Sequence, residues 1–387
     1  MNQEQHILYV SGVVPKQGTC SPIIIDRHLR RLEKSNWEIS LAVPEMSIAE
    51  EKFPESWQII SLPTRRWWWP PVRTEIPGSL ELRLRCWRSE CDRVLMGKRP
   101  SAILTVLGDF YSLLAVLLSK SWEIPLSVIV HDQVELLVNT EKERRLISHY
   151  SSIVLNQASR VWTVSPELGD TYHLKADKSK VLFPIPSENI QNFVEWQDKF
   201  KDSPVVAYAG SLHPFQISNF LNIASALQKI NGTLLLITHP DNPVLIQLLD
   251  SYSNVKYQEP FKTNKEVIEF LGKNASCILV SYSFELTQQP WGANSFPSKL
   301  VEFSHLGLPI LILSPPNTAL SSWARRHDWL SHLDCMNEEK MLHILQHLKE
   351  KYMWGKMAEK SRYVSIKEFN PEIIQAQFES ELVKNYT

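Results

Sequence analysis

The stretch Phe296-Pro297-Ser298-Lys299-Leu300-Val301-Glu302-Phe303 brings a hydroxyl, a cation and a carboxylate into two successive turns. A loop that enters a helix at Pro297–Ser298 leaves the first amides of that helix without partners, and the helix dipole adds positive potential there. Such a start suits phosphate. Ser298 and Lys299 fall in the first turn, where hydroxyl and ammonium can add to the same site. Glu302 lies one turn further along the face of Ser298 and can reach a hydroxyl-bearing group beside the phosphate. Gly307 then ends the helix and Pro309 opens the next strand. The plainer reading is a capped helix with a glutamate on its surface. Spacing alone leaves both open.

A second pair, His131-Asp132, follows the apolar run Leu126–Val130 and so sits at the carboxyl end of a strand, where α/β proteins bind ligands. A hydrogen-bonded turn is the alternative. The segment Arg65-Arg66-Trp67-Trp68-Trp69-Pro70-Pro71, with Arg73, interleaves cations and indoles. That chemistry suits anionic headgroups or sugar stacking, and the competing reading is a loop whose tryptophans pack inward. His343 and His347 are spaced for a metal, but no third ligand completes a site, so a solvated helix face is expected. Cys20, Cys86, Cys91, Cys277 and Cys335 contain no Cys-x-x-Cys pair, which points to a reducing compartment rather than a disulfide or zinc framework. No Gly-x-Gly occurs, which removes the dinucleotide fingerprint, and no Asp-x-Asp occurs.

These residues need a scaffold, and the chain supplies one by alternating short apolar runs with amphipathic stretches. Strands are expected near 7–11, 38–43, 58–62, 102–106, 126–130, 160–164 and 180–183, and again near 205–209, 233–237, 255–257, 277–281 and 309–313. Helices fit near 22–34, with Ser21-Pro22 as its cap, then 80–96, 110–119 and 143–157, and later 218–229, 243–251, 265–272, 298–306 and 338–351. The expected fold class is α/β, with two doubly wound Rossmann-like domains facing a cleft. The first spans 1–186, a polar linker bracketed by prolines spans 187–203, and the second spans 204–367. A final helix near 368–387 is expected to pack back on the first domain.

At 387 residues the chain suits two domains. Its 41 basic and 42 acidic residues argue against a body built to bind nucleic acid. With 43% hydrophobic and 21% charged residues it is globular in composition. No signal peptide and no membrane-spanning run is visible, so a cytoplasmic protein is expected.

The run Pro297-x-Lys299-x-x-Glu302-Phe303, followed by Gly307-x-Pro309-Ile310, resembles the donor-binding signature of GT-B glycosyltransferases, close to glycosyltransferase family 4. Val161–Ser165 with Val181–Pro186 is similar to the end of that family's first domain. Val206–Ser211 resembles the glycine turn opening its second, and Lys360–Phe369 fits its tail. The resemblance implies transfer of a sugar from a UDP- or GDP-linked donor to a glycan, lipid-linked or small-molecule acceptor. It implies retention of configuration, no metal and no resident cofactor. Glu302 would hold the ribose, and Pro297 and the amides around Ser298–Leu300, with Lys299, the diphosphate. Gly210, Ser211 and His213 would form the glycine turn beside it. His131 and Asn294 would contact the transferred sugar, with Asp132, Gly18 and Thr19 on the acceptor side. Asn294 stands where many members carry a glutamate, and Gly210 is followed by Ser211, Leu212 and His213 rather than by arginine and lysine. Lys299 therefore carries more of the diphosphate charge. Those two departures motivate the alternatives of a non-catalytic GT-B-like scaffold or, more remotely, a nucleotide-sugar epimerase. The Arg65–Arg73 segment would supply a peripheral contact at the inner face of the membrane.

Overall fold

The computed structural model describes residues 5–16, 20–48, 51–63, 77–187 and 192–382. The chain divides into two units. One comprises the chain up to Leu182 together with the stretch from Gln375 onward, and the other runs from Phe183 to Ile374.

The first unit is built on strands β1 (His6–Val10), β2 (Glu38–Pro44), β3 (Gln58–Leu62), β4 (Ala102–Val106), β5 (Leu126–Val130), β6 (Arg160–Thr163) and β7 (Ser179–Val181). They form a parallel sheet in the order β3-β2-β1-β4-β5-β6-β7. The second unit has β8 (Val205–Ala209), β9 (Thr233–Ile237), β10 (Val255–Gln258), β11 (Cys277–Ser281), β12 (Ile310–Leu313) and β13 (His332–Leu333). These are also parallel, in the order β10-β9-β8-β11-β12-β13. Strands covered by helices on both faces are apolar throughout rather than alternating. Accordingly β1, β4, β5 and β11 are buried along their whole length, whereas the edge strands β7 and β10 expose residues.

The connecting helices start where side chains satisfy their first amides. Thr140 with Glu143 and Thr263 with Glu266 form capping boxes on Glu141–Gln157 and Asn264–Asn274, and Asn242 caps Pro243–Ser251. The expected strands all occur. Among the elements not foreseen are the helices Glu45–Ile48, Pro166–Thr171 and Ala319–Arg326, and the two-residue strand β13. The one-turn helix Glu45–Ile48 and the strand β13 are too short to carry a readable period.

Several expectations are corrected. The helix read as 22–34 begins at Cys20, so Ser21 and Pro22 lie inside its first turn rather than Ser21 preceding it. The helix read as 298–306 stops at Ser304, and the chain leaves it through Gly307, at φ +69°. A Cβ there would lie 2.7 Å from Cβ of Phe193, so glycine is required by conformation and by space. The tail is two helices, Lys351–Lys367 and Pro371–Leu382, because Pro371 can begin a helix but not continue one.

The stretch expected as a linker belongs, where described, to the second unit. Val194 donates to the carbonyl of Leu306 (2.9 Å), Gln197 to that of Gly272 (3.2 Å), and Phe200 is buried. From Gln375 the last helix packs on the first unit. Gln375 meets His28 Nδ1 at 2.8 Å, Glu379 accepts from the Trp37 indole at 3.0 Å, and Phe378 lies 4.7 Å from the Trp162 ring. Among the described residues no helix is long and apolar enough to cross a membrane.

Candidate functional site

In an open parallel sheet the strand order reverses at one point, and the two strands flanking it send their connections to opposite faces. The carboxyl ends of those strands therefore border a crevice. In the second unit the reversal falls between β8 and β11. The chain leaving β8 is Gly210-Ser211-Leu212-His213, and the chain leaving β11 leads through Asn294 to the helix Ser298–Ser304. Topology alone thus brings Gly210 and Lys299 together across 89 positions of sequence.

Gly210 has φ +137°, and a Cβ on it would lie 2.7 Å from Lys299 Cε. The missing side chain makes the space that Lys299 occupies. The ammonium of Lys299 donates to the Tyr208 hydroxyl (3.0 Å) and lies 4.2 Å from the centre of that ring. Tyr208 is itself held, since its hydroxyl donates to the Ser211 carbonyl at 2.9 Å and its ring is only 3% exposed. His213 is exposed and stacks flat on Phe215, with centroids 5.0 Å apart. Partial burial and then the charge of Lys299 lower its imidazole pKa, so at pH 7 it offers hydrogen-bonding nitrogens rather than charge. Lys299 supplies the positive charge of this cluster.

Pro297 occupies the N-cap position in an extended conformation, and its carbonyl accepts from the Leu300 amide at 3.0 Å. Leu300 is therefore spent: its amide is paired and its side chain is fully buried. The amides of Ser298 and Lys299 come too early to find acceptors within the helix and are the ones available to an anion. Asn294 is half-buried at the end of the turn Pro290–Ala293, its amide 3.4 Å from the Trp291 carbonyl. The loop carrying it is tied down by Gln289, which accepts from the Ser283 amide (2.9 Å), and by the Tyr282–Ser295 hydroxyl pair (3.1 Å).

One turn beyond Lys299, the carboxylate of Glu302 accepts from Asn264 Nδ2 at 2.6 Å and from the Ser187 amide at 3.2 and 3.3 Å to its two oxygens. The Ser187 hydroxyl also donates to it. Asn264 is placed by the capping box at the start of its own helix.

The first unit has its own reversal, between β1 and β4. Gly12 follows β1, Asp109 follows β4, and His131 and Asp132 follow β5. Asp109 accepts from the amides of Gly12 (2.8 Å), Tyr111 (2.9 Å) and Ser112 (3.3 Å). Burial raises its carboxyl pKa to about 6 against the pull of those amides. Gly12 is needed for closeness, because a Cβ there would lie 2.5 Å from Asp109 Oδ2. Burial lowers the His131 pKa to about 4 and raises that of Asp132. Among the described residues, Nδ1 of His131 is buried without a hydrogen-bond partner. A neutral imidazole with an idle nitrogen at a strand end can accept from, or donate to, a ligand hydroxyl according to its tautomer.

Gly18 and Thr19 lie outside the described residues, as does the Arg65–Arg73 segment. The sequence reading missed Asp109, Tyr208, Asn264 and Ser187. Asp109 follows an apolar strand just as His131 does, and the same strand-end rule would have flagged it. The other three carry no local signal.

No protein-family model matches this sequence, and no curated protein matches it by sequence. Solved structures do match by fold. HepE of Anabaena in complex with UDP and glucose superposes with TM-score 0.66 at 12% identity, covering 97% of this chain and 98% of that one. WaaB, a lipopolysaccharide outer core galactosyltransferase in its apo form, gives 0.64 at 14% identity, covering 98% and 100%. WaaG, a glycosyltransferase involved in lipopolysaccharide biosynthesis, gives 0.60 at 10% identity, again covering 98% and 100%. Two doubly wound parallel sheets in one chain, matched over nearly its full length by these structures, give the chain the GT-B glycosyltransferase fold.

Proposed function

We propose that the chain is a glycosyltransferase, close to family 4, that moves a sugar from a UDP- or GDP-linked donor to a glycan, lipid-linked or small-molecule acceptor. The observation carrying this reading is the pairing of Lys299 and Glu302 on one short helix at the reversal point of the second sheet, with Gly210 clearing space for the lysine. HepE has been solved with UDP-glucose, and a donor of that kind fits the cation and carboxylate one turn apart.

In this reading Lys299 and the amides of Ser298 and Lys299 hold the diphosphate, and Glu302 holds the ribose hydroxyls. The bond from the sugar's anomeric carbon to the β-phosphate oxygen breaks, and its electron pair leaves on the diphosphate. The acceptor oxygen bonds to that carbon from the same face and gives its proton to the departing phosphate, so configuration is retained. Fixed donors aimed at the growing diphosphate charge supply much of the rate. Such a route needs neither a carboxylate pair nor a metal. His131 and Asn294 contact the transferred sugar, and Asp132 faces the acceptor. The protein works in the cytoplasm, at the inner face of the membrane where the acceptor is lipid-linked.

Calorimetric titration with UDP, GDP and ADP, then transfer from the matching labelled nucleotide-sugar, tests the reading. One nucleotide binding to the wild type, lost in Glu302→Ala with an unchanged circular-dichroism spectrum, is the expected result. Turnover unchanged in Glu302→Ala sinks the assignment. Donor conversion without any acceptor would make the protein an epimerase instead.

A further inference from the structure

The carboxylate that the proposed function assigns to the ribose is already engaged. Among the described residues, Oε1 of Glu302 takes three donors: Asn264 Nδ2 at 2.6 Å, the Ser187 amide at 3.2 Å and the Ser187 hydroxyl. The same Ser187 amide is shared with Oε2 at 3.3 Å. A carboxylate offers about four acceptor directions. A vicinal diol must take two neighbouring ones, and Ser187 presents its own pair of donors in that arrangement, an O–H beside an N–H.

The two partners differ in how they are held. Asn264 stands in the first turn of a helix fixed by the Thr263–Glu266 capping box. Its amide also donates to the Ser187 hydroxyl at 3.1 Å, so it orients both members of the contact. Ser187 lies in irregular chain, outside any helix or strand.

Resting on the glycosyltransferase reading, we propose that Ser187 is an autoinhibitory mimic of the ribose diol, competing with the donor for Glu302. Asn264 is a positioning residue that holds the carboxylate for either occupant. Nucleotide binding and release of Ser187 from Glu302 are then one equilibrium. The apparent affinity is the intrinsic affinity reduced by the fraction of molecules in which Ser187 has let go.

Titration of UDP and GDP into wild type, Ser187→Ala and Asn264→Ala, each checked for its fold by circular dichroism, tests this. Ser187→Ala removes one charge-assisted hydrogen bond from the closed state and should tighten binding roughly tenfold or more. Asn264→Ala should weaken it. On adding nucleotide to the wild type, hydrogen exchange at the peptide containing Ser187 should accelerate as its amide leaves Glu302. Unchanged or weaker binding in Ser187→Ala, while the wild type binds in a Glu302-dependent way, overturns the mimic and leaves the glycosyltransferase reading standing. Exchange at Ser187 that does not respond to bound nucleotide also overturns it. Binding by neither wild type nor Ser187→Ala overturns both.

Discussion

The ammonium of Lys299 rests 4.2 Å above the Tyr208 ring and donates to that ring's own hydroxyl at 3.0 Å. A lysine has ample rotamer freedom to lose, and a ring that is itself buried and tied to Ser211 takes much of that freedom away before any ligand arrives.

Tyr208→Phe keeps the ring and loses the hydroxyl. Nucleotide affinity should fall about two- to tenfold, the range for one hydrogen bond. Tyr208→Leu also loses the cation–π contact and should fall further. Calorimetric affinities ranking phenylalanine with the wild type and leucine no worse would show that Tyr208 does not position Lys299.

Gly210→Ala places a side chain at φ +137° and into the space of Lys299. We expect a stability loss of about 1–3 kcal/mol from the backbone alone. Nucleotide affinity should drop more than tenfold, because the lysine must move. Urea titration reads the first effect and calorimetry the second. A variant as stable and as tight-binding as the parent contradicts both.

Acid should weaken the first unit. His28, buried against Gln375 and Phe378, has its pKa lowered to about 3, and His131 to about 4, both by burial. Each is neutral when folded and wants a proton when unfolded, so its stabilising contribution is complete above about pH 6.5 and is lost as pH falls. Asp109 runs the other way. Its folded pKa of about 6 exceeds its ordinary 3.8, so its contribution is lost as pH rises through that window. Asp132, raised by burial like Asp109, adds to the opposing side, and His6, lowered by burial, adds to the histidines. Three histidines against two carboxyls leave a net fall from pH 7 towards 4. The urea midpoint should follow it, and His28→Gln should flatten the slope by up to about 1.4 kcal/mol per pH unit. A slope unchanged in that variant would show that His28 does not titrate on unfolding.

Arg160 and Glu381 pair at 2.5 Å with side chains 4% and 14% exposed. Removing one partner of so enclosed a pair leaves a buried charge and costs about 3–5 kcal/mol. Glu381→Ala should therefore destabilise strongly, cushioned somewhat by the bond from Arg160 to the Asp177 carbonyl at 2.7 Å. Adding Arg160→Met should recover part of the loss. Equilibrium denaturation that finds the double variant worse than the single one would remove the ion pair from the explanation.

Much of the architecture was legible because parallel strands covered on both faces must be apolar end to end. Runs such as Leu126–Val130 and Cys277–Ser281 therefore stand out against polar loops. The stretch Pro297–Glu302 was legible for a related reason, since a helix start, a cation and a carboxylate one turn apart are set by local spacing. Local spacing also encodes the capping boxes, which the sequence reading passed over. It misplaced the end of the helix at Ser304, where the exit through Gly307 is decided by crowding against Phe193.

What local order could not determine is which residues meet from distant parts of the chain. Tyr208 is an ordinary strand tyrosine until the reversal between β8 and β11 brings Lys299 over it. Ser187 and Asn264 are a loop serine and a helix-start asparagine until the fold closes them on Glu302. Periodicity and capping act over a few residues and are written in the sequence itself. Partnership across a sheet's reversal point depends on strand order and on which side chain leaves room for another, and only tertiary packing decides that.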